Sequence, residues 1–270
     1  MEFTDLQAER YARHFILREI GVSGQKKLCE GRVLVIGAGG LGSAALAYLA
    51  SAGVGTIGIA DFDSVSLSNL QRQIIHGTKT LGEDKLDSAQ KFIKNLNPDV
   101  KVNLHRGAVS IDNITGLIAN YDFILDCTDR FESKFLINDA CVLAKKPYSH
   151  AGVVRFEGQA MTYVPGKGPC LRCLLGGVPP TADCITCSQV GVLGAVVGVI
   201  GSIQALEAIK FLIGKGELLT GRVLRFDGLN MKTNIINFPH ADPGCAVCGG
   251  NARITSLAGN RAEYEGVRNN

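Results

Sequence analysis

The sequence predicts an α/β fold in which a doubly wound, mostly parallel sheet continues into an antiparallel extension. Three observations carry that prediction. Short apolar runs alternate with helical patterns through the first 150 residues, the alternation that builds βαβ units. A glycine-rich turn, Gly37-Ala38-Gly39-Gly40-Leu41-Gly42, joins the first apolar run to the first long helical pattern. Beyond residue 151 the pattern changes to short strands, a Pro/Gly/Cys-rich stretch at 165–187 and one long apolar helix, as expected of strands added antiparallel to the same sheet.

Taken in order, Arg32-Val33-Leu34-Val35-Ile36 reads as a buried strand, 41–52 as a helix and Thr56-Ile57-Gly58-Ile59-Ala60 as the next strand,. A helix at 83–95, a strand at 100–104, a helix at 111–119 and a buried strand at 121–125 ending on Asp126 follow. Residues 131–144 read as a helix and 147–150 as a further strand. The extension consists of short strands around Gly158, the apolar helix ending at Ile213, and strands near Val223 and Ile235.

Composition narrows the function classes. With 46% hydrophobic residues, 20% charged residues and 33 glycines, the chain can bury a large core and lacks the signature of disorder. A net charge of +3 with no block of like charges leaves no electrostatic footprint for nucleic acid. The first ten residues are acidic and lack an apolar core, so a cytoplasmic protein without a secretory leader is expected. The most lipid-like stretch, 190–203, is 14 residues long and interrupted by Gly191, Gly194, Gly198 and Gly201. It is too short to span a bilayer, and a buried helix with no membrane partner is expected.

The 9 cysteines point, in a reducing compartment, to metal ligands or reactive thiols rather than disulfides. Cys29, Cys127 and Cys141 stand alone and are expected to pack as small hydrophobes. The others form C-x-x-C pairs: Cys170/Cys173, Cys184/Cys187 and Cys245/Cys248. A closed zinc site takes four ligands, so one pair is left over, and spacing alone leaves two assignments open. Cys170, Cys173, Cys184 and Cys187 would make a local ribbon; Cys170, Cys173, Cys245 and Cys248 would staple the middle of the chain to its end. His76, His105, His150 and His240 lack ligand-like spacing and read as surface or hydrogen-bonded histidines.

The glycine loop has the strand-loop-helix context of a Rossmann-like nucleotide site, where backbone N–H groups approach phosphate at a helix N-terminus. Asp61, ending the second strand, stands where a carboxylate takes ribose hydroxyls. The next segment, Asp61-Phe62-Asp63-Ser64-Val65-Ser66-Leu67-Ser68-Asn69-Leu70-Gln71-Arg72-Gln73, adds a cation that a dehydrogenase does not need and attack on phosphorus does. Lys85 starts the following helix. Asp129 lies past the fourth strand as a candidate magnesium ligand. The bland reading makes Arg72 and Lys85 solvated charges and Asp129 an N-cap for the helix from Phe131.

These residues together, with Asp126-Cys127-Thr128-Asp129, closely resemble the ThiF/MoeB/HesA family, relatives of ubiquitin-activating enzymes, across about residues 6–250. The resemblance implies an ATP-dependent adenylyltransferase that activates the C-terminal Gly-Gly carboxylate of a ubiquitin-like sulfur-carrier protein, as in molybdopterin or thiamin biosynthesis. It implies that Gly40, Asp61, Ser68, Asn69, Leu70, Gln71, Arg72, Lys85 and Asp129 bind ATP and magnesium, and Gly37, Gly39, Gly42, Asp63 and Arg130 are expected to line the same site. Arg10-Tyr11-Ala12-Arg13 is similar to a motif whose last arginine acts in the partner subunit's active site, which implies a homodimer with Arg13 in trans. The family's zinc pairs match Pro169-Cys170-Leu171-Arg172-Cys173 and Pro243-Gly244-Cys245-Ala246-Val247-Cys248-Gly249, implying the long-range staple. Thr186-Cys187-Ser188-Gln189-Val190-Gly191-Val192 is similar to its thiol segment, implying Cys187 as the nucleophile and leaving Cys184 an incidental or resolving thiol.

Two departures stand out, Arg130 where the family often has Asn and His14 where it often has Gln. The expected organisation is one domain over 1–250, divided into a helical arm (1–30), a nucleotide-binding half (31–150) and a zinc-containing, carrier-binding half (151–250), with a tail at 251–270. No rhodanese-like segment is seen, so an external sulfur donor is expected. The end Arg268-Asn269-Asn270 is not Gly-Gly, so the chain is not its own carrier. The competing classes are an NAD- or FAD-dependent oxidoreductase, which leaves Arg72, Lys85 and the cysteine pairs unexplained, and a non-catalytic nucleotide-sensing module.

Overall fold

The computed structural model describes residues 2–178 and 190–265. Short helices α1 (Asp5–Arg10), α2 (Ala12–Ile16) and α3 (Gly21–Glu30) lead in. Then β1 (Arg32–Ile36), α4 (Gly40–Ser51), β2 (Thr56–Asp61), α5 (Lys85–Leu96), β3 (Lys101–Arg106), α6 (Ile114–Ala119), β4 (Phe123–Asp126), α7 (Phe131–Leu143) and β5 (Tyr148–Val154) alternate. After β6 (Glu157–Tyr163) come α8 (Leu171–Leu175), α9 (Gly194–Ile213), β7 (Arg222–Asp227), β8 (Lys232–Asn237) and α10 (Arg261–Glu265).

All eight strands form one sheet in the order β3-β2-β1-β4-β5-β6-β7-β8. From β3 to β5 the neighbours are parallel, and from β5 to β8 they are antiparallel. Strand order reverses at β1, so the carboxyl ends of β1 and β4 form the crevice where open α/β sheets bind ligands.

Burial on both faces explains why the parallel strands read as continuous apolar runs. Val33 and Val35 point toward Leu46, Leu49, Ile93 and Ile200, whereas Leu34 and Ile36 join Ile118, Leu136, Ile137 and Tyr148. Each such side chain contributes roughly 1.5–3 kcal/mol on burial. Helix α6 starts three residues later than periodicity predicts because the Asn113 side chain accepts the Ser110 N–H and donates to the Ala108 carbonyl, a local competition with helix typical of Asn.

The apolar stretch at 190–203 is by itself too short to cross a bilayer, but most of it lies in α9, which ends at Ile213 as expected and at 20 residues has the length and hydropathy to do so. The helix continues through Gln204, Glu207 and Lys210 because each is satisfied inside the fold. Glu207 is buried, accepts from Thr162 Oγ1 and the Leu219 N–H, and pairs with Lys210. Gln204 donates to the carbonyls of Asp126 and Ser149. The helix packs against α4 and strands β4 to β6, as a core helix does.

The stretch expected to be a tail also carries structure. Ile254, Leu257 and Tyr264 are buried in the same cluster as Cys170 and Cys245, and α10 packs on α7.

Candidate nucleotide and metal sites

The crevice begins where β1 ends. Gly37 has φ +101°, and a Cβ there would lie 2.7 Å from the Cys127 carbonyl oxygen, so glycine is required both for the turn and for close approach to the loop after β4. A Cβ on Gly42 would clash with the Gly37 carbonyl. No side chain caps α4 at Gly39, which leaves its first N–H groups free to meet an anion.

Two side chains grip the peptide units of Ala38. Asp61 accepts its N–H at 2.7 Å, and accepts those of Phe62 and Asp63 at 2.8 Å each. Of the roughly four acceptor positions of a carboxylate, three are therefore used to shape the loop. His76 places Nε2 3.0 Å from the Ala38 carbonyl and Nδ1 2.8 Å from Ser88 Oγ. Burial lowers its pKa, so the ring is neutral near pH 7 and donates to that carbonyl. His76 is thus a hydrogen-bonded histidine, and its task of holding the glycine loop has no signature in spacing.

The cations come next. A 3-10 turn, Leu67–Asn69, carries Ser68 and Asn69 and leads through Leu70 and Gln71 to Arg72. The Asn69 carbonyl accepts the Arg72 N–H at 3.0 Å, Arg72 Nη1 donates to the Ser68 carbonyl at 3.1 Å, and the Arg72 stem lies beside Gly40. The start of α9 backs this segment, with Gly194 against the Gln71 carbonyl. Lys85 opens α5 with its side chain 5% exposed and Nζ 2.8 Å from Asp63 Oδ2, a sheltered cation answered by one surface carboxylate.

Asp129 is exposed and has no hydrogen-bond partner among the described residues. The N-cap of α7 is Arg130, without a side-chain cap, and Arg130 Nε lies 3.6 Å from Glu132. The N-cap reading of Asp129 is therefore excluded, and its carboxylate is free. The structure thus gathers the glycine loop, Asp61, Asp63, Arg72, Lys85 and the loop of Asp129 around one crevice. Arg13 is not among them. It is exposed on α2, next to Tyr11, which packs at Gly53 and hydrogen-bonds Asn97. That anchor lies past the far end of α4, a 12-residue helix about 18 Å long. Cys184 and Cys187 lie outside the described residues.

The four sulfurs of Cys170, Cys173, Cys245 and Cys248 lie within 4.8 Å of one another. Four separations are 3.9, 3.7, 3.5 and 3.3 Å, close to the ~3.8 Å of a tetrahedron with zinc–sulfur bonds of about 2.3 Å. The donor set fits zinc and follows the long-range staple.

The sequence profile of the ThiF family matches residues 11–247. The chain belongs to the ThiF family. It is 44% identical over 248 residues to the adenylyltransferase and sulfurtransferase MOCS3 of Culex quinquefasciatus, which covers 92% of this chain and 57% of that protein. It is 42% identical over 243 residues to the SAMP-activating enzyme E1 of Haloferax volcanii, covering 90% of this chain and 89% of that one. This ThiF-family chain therefore spans little more than half of the MOCS3 relative. The crystal structure of E. coli MccB with ATP superposes with a TM-score of 0.76 at 24% identity, covering 89% of this chain and 73% of that one, a likeness of fold.

Beside the crevice this ThiF-family chain buries an ionic network. Asp126, fully buried at the end of β4, accepts from Thr128 N and Oγ1 at 3.1 and 2.6 Å, from Lys134 Nζ at 3.3 Å and from His150 Nδ1 at 2.8 Å. Burial alone would raise its pKa, but Lys134 and the hydrogen bonds from His150 and Thr128 outweigh it and hold the carboxyl well below the usual range. Asp126 thereby fixes the turn that carries Asp129.

Proposed function

We propose that the chain is an ATP-dependent adenylyltransferase that activates the C-terminal Gly-Gly carboxylate of a ubiquitin-like sulfur carrier. The observation that supports this reading best is the Arg72 stem beside Gly40 at the uncapped N-terminus of α4, together with sheltered Lys85 paired to Asp63 just after β2 and the unpartnered Asp129 on the loop after β4. The names of the MOCS3 and SAMP-activating relatives support the same reading and lend nothing to a dinucleotide oxidoreductase or a silent nucleotide sensor.

The carrier's carboxylate is already a nucleophile at neutral pH, so positioning and charge dominate. A carboxylate oxygen attacks the α-phosphorus, the bond to the bridging oxygen of the β-phosphate breaks, and pyrophosphate leaves. Magnesium held at Asp129 would neutralise phosphate charge. Arg72 and Lys85 stabilise charge on the phosphate oxygens, the N–H groups of α4 cradle them, and Arg13 of the partner subunit completes the set in a homodimer. The distance of Tyr11 from the glycine loop supports that in-trans role. Asp61, with one acceptor position left, takes a ribose hydroxyl.

Zinc on the four cysteines is structural, and an external donor supplies sulfur to the acyl-adenylate with Cys187 as the candidate thiol. Residues 1–30 serve as the dimer arm, 31–150 as the nucleotide half and 151–250 as the carrier-binding half of a single cytoplasmic enzyme.

ATP–pyrophosphate exchange measured with each candidate Gly-Gly-ended carrier tests the proposal. One carrier should stimulate exchange strongly, and Arg72→Ala should lower it by roughly 10²–10³-fold. Absence of stimulation by every such carrier would sink it.

A further inference from the structure

A concavity of about 210 Å³ lies between α8 and the antiparallel strands, lined by His150, Met161, Leu171, Leu174, Val223 and Ile236 among others. It is smaller than the roughly 300 Å³ at which small-molecule sites begin, a size suited to a peptide side chain. Its one deeply buried polar group is His150, 4% exposed. The register sets Asp126 beside His150 and His150 beside Met161, so the imidazole shares a sheet face with both.

The state of the ring follows from its partners. Asp126 is ionised and takes Nδ1 at 2.8 Å, so Nδ1 carries the proton and donates. Burial, then Lys134, keep the imidazole below its ordinary pKa against the opposing pull of Asp126. Nε2 is therefore an unprotonated acceptor, and no described residue hydrogen-bonds it. Nε2 is not sealed from solvent, so this acceptor at an otherwise largely apolar hollow is open to a donor that enters it,.

The hollow reaches Ile236 and Phe238 at β8, the edge strand of the sheet. An open edge of this kind accepts an extended peptide. His150 is also close to the chemistry, since β5 is two strands from β1, about 10 Å or about three extended residues.

We propose that His150 is a specificity-determining residue for the substrate peptide. Its Nε2 accepts a main-chain N–H about three residues before the carboxyl terminus, while the hollow takes a neighbouring apolar side chain. The inference rests on the adenylating function proposed above and adds the group that reads the peptide as it enters.

The test uses the full-length protein with a Gly-Gly-ended ubiquitin-like carrier that stimulates pyrophosphate exchange by the wild type. If no carrier does so, the adenylating function itself fails. Given an active wild type, His150→Asn keeps an amide donor toward Asp126 and deletes the acceptor in the hollow. It should raise KM for the carrier about tenfold, with the effect on KM rather than kcat. Leu175→Glu, at a lining position that is 46% exposed and so tolerant of charge, should raise the same KM. In the wild type, the ¹⁵N resonance of His150 Nε2 should move when carrier is added. An unmoved resonance, or a wild-type KM in both folded variants, overturns the proposal.

Discussion

Tyr264 donates its hydroxyl to Asp139 across 2.6 Å, at a carboxylate with no exposure to water. The same group receives Arg172 through Nε and Nη2 at 2.7–2.9 Å, and Arg172 reaches on to Glu263 at 2.7 Å. Helices α7, α8 and α10 are thus pinned to one buried ion pair beside the cysteine cluster.

Removing one partner of that pair leaves the other stranded. Arg172→Ala should lower unfolding free energy by roughly 3–5 kcal/mol, and Tyr264→Phe by about 1 kcal/mol, both read from urea denaturation. A negligible cost for Arg172→Ala would mean that water reaches Asp139.

Acid should destabilise the protein through Asp126 and His150. The folded pKa of Asp126 is depressed, so its contribution is whole above the unfolded value of about 3.9 and is lost as pH falls toward the folded one. The pKa of His150 is lowered by burial and Lys134, so below about pH 6.5 the unfolded chain binds the proton more readily. Both groups make the unfolded chain the better proton acceptor, and stability rises with pH. Unfolding free energy measured from about pH 7 to about pH 4 should fall, with His150→Asn flattening the upper part and Asp126→Asn the lower. Curves of wild type and variants that stay parallel would contradict the assignment.

Metal content distinguishes the two cysteine assignments. One zinc per chain is expected, retained in Cys184→Ser and lost in Cys245→Ser, as read by elemental analysis. Chelation should lower the thermal midpoint, because binding energy at a closed site is folding energy. Loss of zinc from Cys184→Ser would return the ligands to the local ribbon.

The parallel strands and the glycine loop were legible because their causes are local: a five-residue run such as Arg32 to Ile36 has few other uses, and the turn at Gly37 tolerates no Cβ. The cysteine staple was legible only through family resemblance, since spacing treats three C-x-x-C pairs alike. The Lys134–Asp126–His150 network was not legible at all. It depends on the pairing of β4 with β5 and on the inward face of α7, and the only trace in sequence is a set of polar residues at positions where apolar ones are the rule. The end of α9 at Ile213 was legible in the apolar pattern, whereas the partners that let Glu207 and Lys210 sit within it depend on the fold.

The sulfur quartet has a consequence for how the molecule comes apart. Its two halves are separated by 75 positions, and α9, β7 and β8 all hang within the ring it closes. A clip across so long a span restrains the disordered chain more than a local knuckle would, by about 1.5 kcal/mol. Stripping it should therefore release the entire distal portion of the sheet at once, so that demetallation and loss of the β8 edge become a single cooperative event.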